Sequence, residues 1–163
     1  MLSGNRLVGF GAKRRAAAGG NPGYRFYRWT FTATQGGGNP HVSEVELLLS
    51  STDQIPTMTG ATTSGVTASA SSAHPIDVPW KTGDNDGGTA WDANAAASQS
   101  LKYDFGSAQE IDEYSITANS FHISSIVPSA WTFEGSNNDA DWTTLDTQSN
   151  QSWSSGETKN YAL

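Results

Sequence analysis

Apolar and polar residues alternate with a period of two over much of the chain, and the longest such run opens it. In YRFYRWTFTA (residues 24–33), Arg25, Tyr27, Trp29, Phe31 and Ala33 fall on one side of an extended strand and Tyr24, Phe26, Arg28, Thr30 and Thr32 on the other. The first side is the more apolar and is the expected core face. After a QGGGNP turn, VSEVELLL places Val45, Leu47 and Leu49 on one face and Glu44, Glu46 and Leu48 on the other, which predicts a hairpin with the first strand or a neighbour of it. VTASASS alternates only small residues and reads as an edge or loop-lining strand. Strand patterns resume in LKYDFG, EIDEYSIT, AWTFEGS, WTTLDT and KNYAL, separated by turn signals at GSAQ, SNNDAD and SSGE. Between them, residues 73–100 carry two prolines, three glycines and four aspartates, so no long regular element is expected there; DANAAAS is the one candidate helical turn, with Asp92 as its cap. Long ordered loops of this kind commonly carry function.

Composition agrees with many short strands. Serine and threonine total 38 and glycine 17 in 163 residues, while six tryptophans and five tyrosines supply the bulk that a modest aliphatic content does not. Trp29, Trp91, Trp131 and Trp142 are expected in the core, whereas Trp80, set in a PWK loop, reads equally as exposed or as core. The length suits one domain. With no cysteine, disulfide scaffolds, zinc–thiolate sites and cysteine nucleophiles are excluded. No apolar run reaches the length of a membrane span, and the N-terminal MLSGNRLVGFGAKRR puts its charges after its short apolar piece, unlike a secretory signal.

Charge is distributed unevenly. Six of the nine basic residues lie within residues 1–28, whereas residues 29–163 hold three basic against sixteen acidic side chains. An acidic body repels a nucleic-acid backbone, so no nucleic-acid partner is expected. Residues 1–23, rich in glycine and alanine, read as an arm and linker ahead of a domain spanning 24–163. With Arg6, Lys13, Arg14 and Arg15, that arm is expected to be a tether that docks on an acidic protein surface or stays mobile.

Over residues 66–146 the succession TASASS, DNDGGTAW, LKYDFG, EIDEYSIT and PSAWTFEGSNNDADWTTLDT resembles the discoidin family, also called coagulation-factor type C or galactose-binding-like domains. That family's closing strands read like YRFYRWTFTA followed by a serine–glutamate strand. Here both come first, a circular permutation that a sandwich with adjacent ends tolerates. The permuted order behind a GNRLVGFGA arm is similar to small structural proteins of tailed bacteriophages. The resemblance implies an all-β jelly-roll β-sandwich with an extended N-terminal arm, in a non-catalytic virion component of a tail, baseplate or fibre. Such a protein is exposed on the particle, multimeric within it, joined to other virion proteins through its arm, and in contact with host-surface polysaccharide without inserting into a membrane. The alternative is a purely structural decoration or adaptor with no glycan ligand.

Two candidate sites follow. The loop GDNDGGT offers closely spaced oxygen ligands in Asp84, Asp86 and Thr89, suited to calcium, although it lacks the EF-hand pattern. The resemblance adds one structural calcium ion, with Glu44 from the serine–glutamate strand closing its shell. The competing reading is an Asx-turn loop with solvated carboxylates. Sugar recognition requires an aromatic face and a few planar polar groups on loops at one end of a rigid sandwich, and the candidates are His74, Trp80, Asp92, Asn94, Asn119, Phe121 and His122. No catalytic set is expected: no G-x-S-x-G occurs, His41, His74 and His122 have no evident aspartate partner in sequence, and no pair of the sixteen acids is singled out.

Overall fold

A computed structural model describes residues 22–96, 98–120 and 126–163. The expected arm therefore lies almost entirely outside the described residues, as do Phe121 and His122. The described chain is all-β and antiparallel. Its strands are β1 (Tyr24–Thr34), β2 (His41–Val42), β3 (Glu44–Leu49), β4 (Thr52–Asp53), β5 (Thr62–Thr63), β6 (Val66–Ala70), β7 (Trp91–Asp92), β8 (Gln99–Gln109), β9 (Glu113–Thr117), β10 (Pro128–Ser136), β11 (Thr143–Gln148) and β12 (Thr158–Ala162). A six-stranded sheet runs β11-β10-β1-β8-β6-β5, a four-stranded sheet β12-β9-β3-β4, and β2 pairs with β7 in a short ribbon.

The alternation in β1 decides the arrangement. Tyr27, Trp29 and Phe31 are fully buried, and they meet residues of both layers. Trp29 lies 5.9 Å from Tyr114 on β9 and 4.9 Å from Phe133 on β10, and Tyr114 stacks on Phe133 at 4.4 Å. These rings cross from the large sheet to the small one, so the two sheets pack face to face as a sandwich sealed by aromatics, each pair contributing about 0.5–1.5 kcal/mol beyond its buried area. Polar atoms inside the seam are chained to one another. Trp131 Nε1 donates to Tyr114 Oη at 2.9 Å, and Tyr114 Oη donates to Asp146 at 2.6 Å.

β1 and β3 do not form the expected hairpin. Both edges of β1 are taken, by β8 and by β10, so after the 35–40 turn the chain crosses through β2 to the opposite layer, where β3 pairs with β9 and β4. Period-two alternation identifies a half-buried strand but does not say which sheet receives it. The segment predicted around LKYDFG is longer than its apolar pattern, running 11 residues to Gln109. No helix forms over residues 92–96. The short helix is instead a 3-10 turn at Pro79–Gly83, with proline at its first position, where a missing N–H costs nothing.

Both ends of the sandwich meet. Tyr24 pairs with Gln109, and Leu163 donates its N–H to Asp112 at 2.9 Å, three residues further along. Trp142, expected in the core, is only half-buried. It sits outside the large sheet with the Arg28 guanidinium 3.9 Å above its ring. Trp153 takes a core place in its stead, its indole N–H donating to the Pro128 carbonyl at 2.7 Å.

Candidate functional site

The acidic loop is built from a turn that its own side chains close. Asp84 Oδ1 accepts the Asp86 N–H at 2.9 Å and Asp86 Oδ1 accepts the Gly88 N–H at 3.0 Å, two successive Asx turns with Asn85 in the left-handed region at φ 60°. The bland reading is thus correct as far as local geometry goes. It does not account for what the loop encloses.

Thr89 Oγ1 has four acceptor oxygens around it: Asp84 Oδ1 at 3.0 Å, Asp84 Oδ2 at 2.9 Å, the Asp86 carbonyl at 3.0 Å and the Lys81 carbonyl at 3.3 Å. A hydroxyl has one proton and can donate to one of them. Facing the same loop is Glu44, from the start of β3. Both of its carboxylate oxygens are buried and make no well-formed hydrogen bond. Burial, and then the neighbouring Asp84 carboxylate, push its pKa up to about 8, while the Asn85 and Asp86 amides pull more weakly the other way.

Two carboxylates, one hydroxyl and two carbonyls therefore converge with too few protons to hold them together. That donor set is all oxygen, suited to a hard cation of the calcium type. Among the described residues no group of three or more histidine, cysteine, aspartate or glutamate side chains is placed to hold a metal ion; this cluster has two carboxylates and otherwise only a hydroxyl and carbonyls. Glu44, Asp84 and Thr89 are brought together as expected. Asp86 takes part differently: its carboxylate is occupied by the Gly88 amide, and the oxygen it turns toward Thr89 is its backbone carbonyl. Sequence reasoning missed the Lys81 carbonyl, since a backbone oxygen leaves no mark on residue identity.

The sugar candidates separate. His74, Asp92 and Asn94 gather at one end of the sandwich: His74 donates its N–H to the Asp92 carbonyl at 2.8 Å, and Asn94 donates its N–H to Ser72 Oγ at 3.1 Å. His74 is exposed, with Nδ1 3.5 Å from Asp77 Oδ2. Asp92 stands opposite His41 in the β2–β7 ribbon, a juxtaposition that the sequence did not reveal across 50 intervening positions. Ile76, 66% exposed, projects from the same loop. A cleft of about 230 Å³ opens nearby, lined by Phe31, Thr34, Gly38, Pro40 and Ala96 among others, and the Pro40 carbonyl accepts the Ala93 N–H. Trp80 is not a free platform: it is half-buried in the 3-10 turn and packs against the core. Asn119 is buried, beside Ser43.

No family model, no curated protein and no solved structure matches this chain.

Proposed function

We propose that this protein is a non-catalytic component of a phage-like virion, a tail, baseplate or fibre protein whose sandwich is a permuted discoidin-like jelly roll presenting its end loops to host-surface carbohydrate. The observation that carries the reading is the oxygen cluster of Glu44, Asp84 and Thr89, which forms at the positions where the discoidin resemblance implies calcium. The seating of β1 in the middle of the large sheet, with both ends of the sandwich adjacent, supports the permuted order.

In this proposal Glu44, Asp84, Thr89 Oγ1 and the Lys81 and Asp86 carbonyls hold the ion. The ion supplies the positive charge that the cluster lacks and ties the acidic loop to β3. His74, Asp92 and Asn94, next to the 230 Å³ cleft, are the residues offered to sugar hydroxyls. The arm bearing Arg6, Lys13, Arg14 and Arg15 docks on an acidic neighbour in the particle. A purely structural decoration is the second reading, favoured by the packing of Trp80 against the core, which removes one candidate stacking surface.

A glycan array with calorimetry on the full chain, with calcium and with chelator, separates the two. Binding to a host polysaccharide that His74→Ala weakens supports the first reading; no binding to any glycan leaves the structural one. Deleting residues 1–23 is expected to abolish particle incorporation with the melting temperature unchanged, and incorporation of the truncated protein would refute the role of the arm.

A further inference from the structure

The outer face of the six-stranded sheet is a second surface, away from the end loops. Residues directly opposite in antiparallel strands share a face, so the register lays two rows across it. One row reads Ser69, Lys102, Arg28, Glu134 and Thr144 over β6, β8, β1, β10 and β11. The next reads Ser100, Thr30, Thr132 and Thr147. Where they meet the turn after β10 they enclose a hollow of about 200 Å³, lined by Arg28, Ser69, Ser71, Ser100, Lys102 and Asp139.

Its charges are already paired. Arg28 donates through Nε and Nη2 to Glu134 Oε2 at 3.0 and 2.9 Å, and Lys102 Nζ donates to Asp139 Oδ2 at 2.6 Å. The hollow is therefore electrically balanced within an acidic body, which gives an anion no net attraction. Hydroxyl rows give an apolar ligand nothing to gain. Donors and acceptors held side by side, with further hydrogens on the Arg28 guanidinium and the Lys102 ammonium and a second oxygen on Asp139, match a ligand whose neighbouring hydroxyls both donate and accept. Trp142 stands beside this row. This half-buried indole on the outer face lies under the Arg28 guanidinium and so backs one of the residues that line the hollow. Strands about 4.8 Å apart space the residues along each polar row at the scale of one sugar unit.

We infer that this hollow is a binding site for a neutral saccharide chain lying across the strands of the large sheet, separate from the end-loop site. Ser69, Ser100, Lys102 and Asp139 contact its hydroxyls, and Arg28, held against Trp142, forms one wall.

The test is calorimetric titration of the full-length protein with neutral gluco-, galacto- and manno-tetrasaccharides and with an oligouronate. Ser69→Trp fills the hollow and Lys102→Met removes its ammonium donor; melting curves verify that both variants fold, and the second carries the test where the first does not. The inference expects one neutral probe to bind and both groove variants to weaken it about tenfold or more, the loss of one or two charge-assisted hydrogen bonds, while His74→Ala leaves this component intact. Unchanged binding in the groove variants, preference for the oligouronate, or no binding of any neutral probe overturns it. Loss of binding in His74→Ala alone preserves the end-loop reading and removes this one. Loss in the groove variants alone does the reverse.

Discussion

The aromatic seam and the acidic loop both bury polar atoms, and they treat them in opposite ways. In the seam most buried polar groups are matched: Trp131 donates to Tyr114, which donates to Asp146, and Asp146 Oδ2 also accepts from Gln148 at 2.9 Å, while the buried Trp29 indole N–H has no acceptor. Around Thr89 the Asp86, Gly88 and Thr89 amides each donate once, but the single hydroxyl proton faces four acceptors, and the Glu44 carboxylate is shut in beside them. A buried polar group left without its partner costs about 1–3 kcal/mol. The seam lacks one acceptor and holds no buried charge without a partner, whereas the loop gathers carboxylates that, in the proposal above, a cation completes. The first region explains why the chain folds and the second is where a ligand would change its stability.

The largest effect expected from this contrast lies in the seam. Trp29→Ala removes a fully buried indole packed against Tyr103, Tyr114 and Phe133, and such truncations cost about 3–5 kcal/mol. Trp142→Ala, with only a half-buried ring and the Arg28 stack to lose, is expected to cost about 1 kcal/mol. Urea titrations of the two variants side by side measure the difference. Equal losses would mean that Trp142 is as much a part of the core as its sequence pattern indicated.

The loop offers a sharper break, because the sign of the effect depends on the ion. Calcium at about a hundred times its dissociation constant is expected to stabilise the wild-type protein by about 2.7 kcal/mol. Asp84→Asn and Glu44→Gln each abolish that gain. In chelator the same substitutions leave stability unchanged or raise it, since one of two facing carboxylates is gone. Thermal melts of the three proteins, with calcium and with chelator, give six values. A wild-type melt that is identical in both conditions removes the metal from the proposal.

What could be read in advance divides along the same line. The core face of β1 was legible because alternation is a local property, and Tyr27, Trp29 and Phe31 are buried as their spacing demands. The partner of β1 was not, because Glu44 to Leu49 carries an alternation that serves either sheet equally well. Trp142 follows a turn and precedes β11, so its side depended on a register that only pairing fixes; the shift between Phe133 and Glu134 lies in the strand pairing beside it. In the loop, Asp84 and Thr89 were legible from spacing, and Glu44 came only through the family resemblance. The Lys81 carbonyl had no signal at all. His41 opposite Asp92 required the β2–β7 ribbon, two strands of two residues each, too short for any periodicity to announce.

The smallest predicted effect concerns a carboxylate that belongs to neither region. Asp53, on the short strand β4, is half-buried, and burial pushes its pKa up to about 6, although Ile55 and Leu47 donate their N–H groups to its Oδ1 at 3.0 and 3.1 Å. Its unfolded value is about 3.9. The folded state therefore binds this proton more tightly, so the contribution of Asp53 to stability is complete below the unfolded value and is lost as pH rises through the folded one. Asp104 behaves oppositely, its pKa held down by the hydrogen-bonded Arg25 guanidinium, so it adds stability as pH rises, and the raw pH profile of the wild type mixes both signs. Subtracting the profile of Asp53→Asn isolates the one group, because the amide oxygen still accepts both backbone donors but carries no titration. After discount for partial exposure, the stability of the wild type relative to the variant is expected to fall by about 1 kcal/mol between pH 4 and pH 7. A difference that stays constant over that range would mean that the two N–H groups outweigh burial, and that β4 tolerates its charge as readily as solvent does.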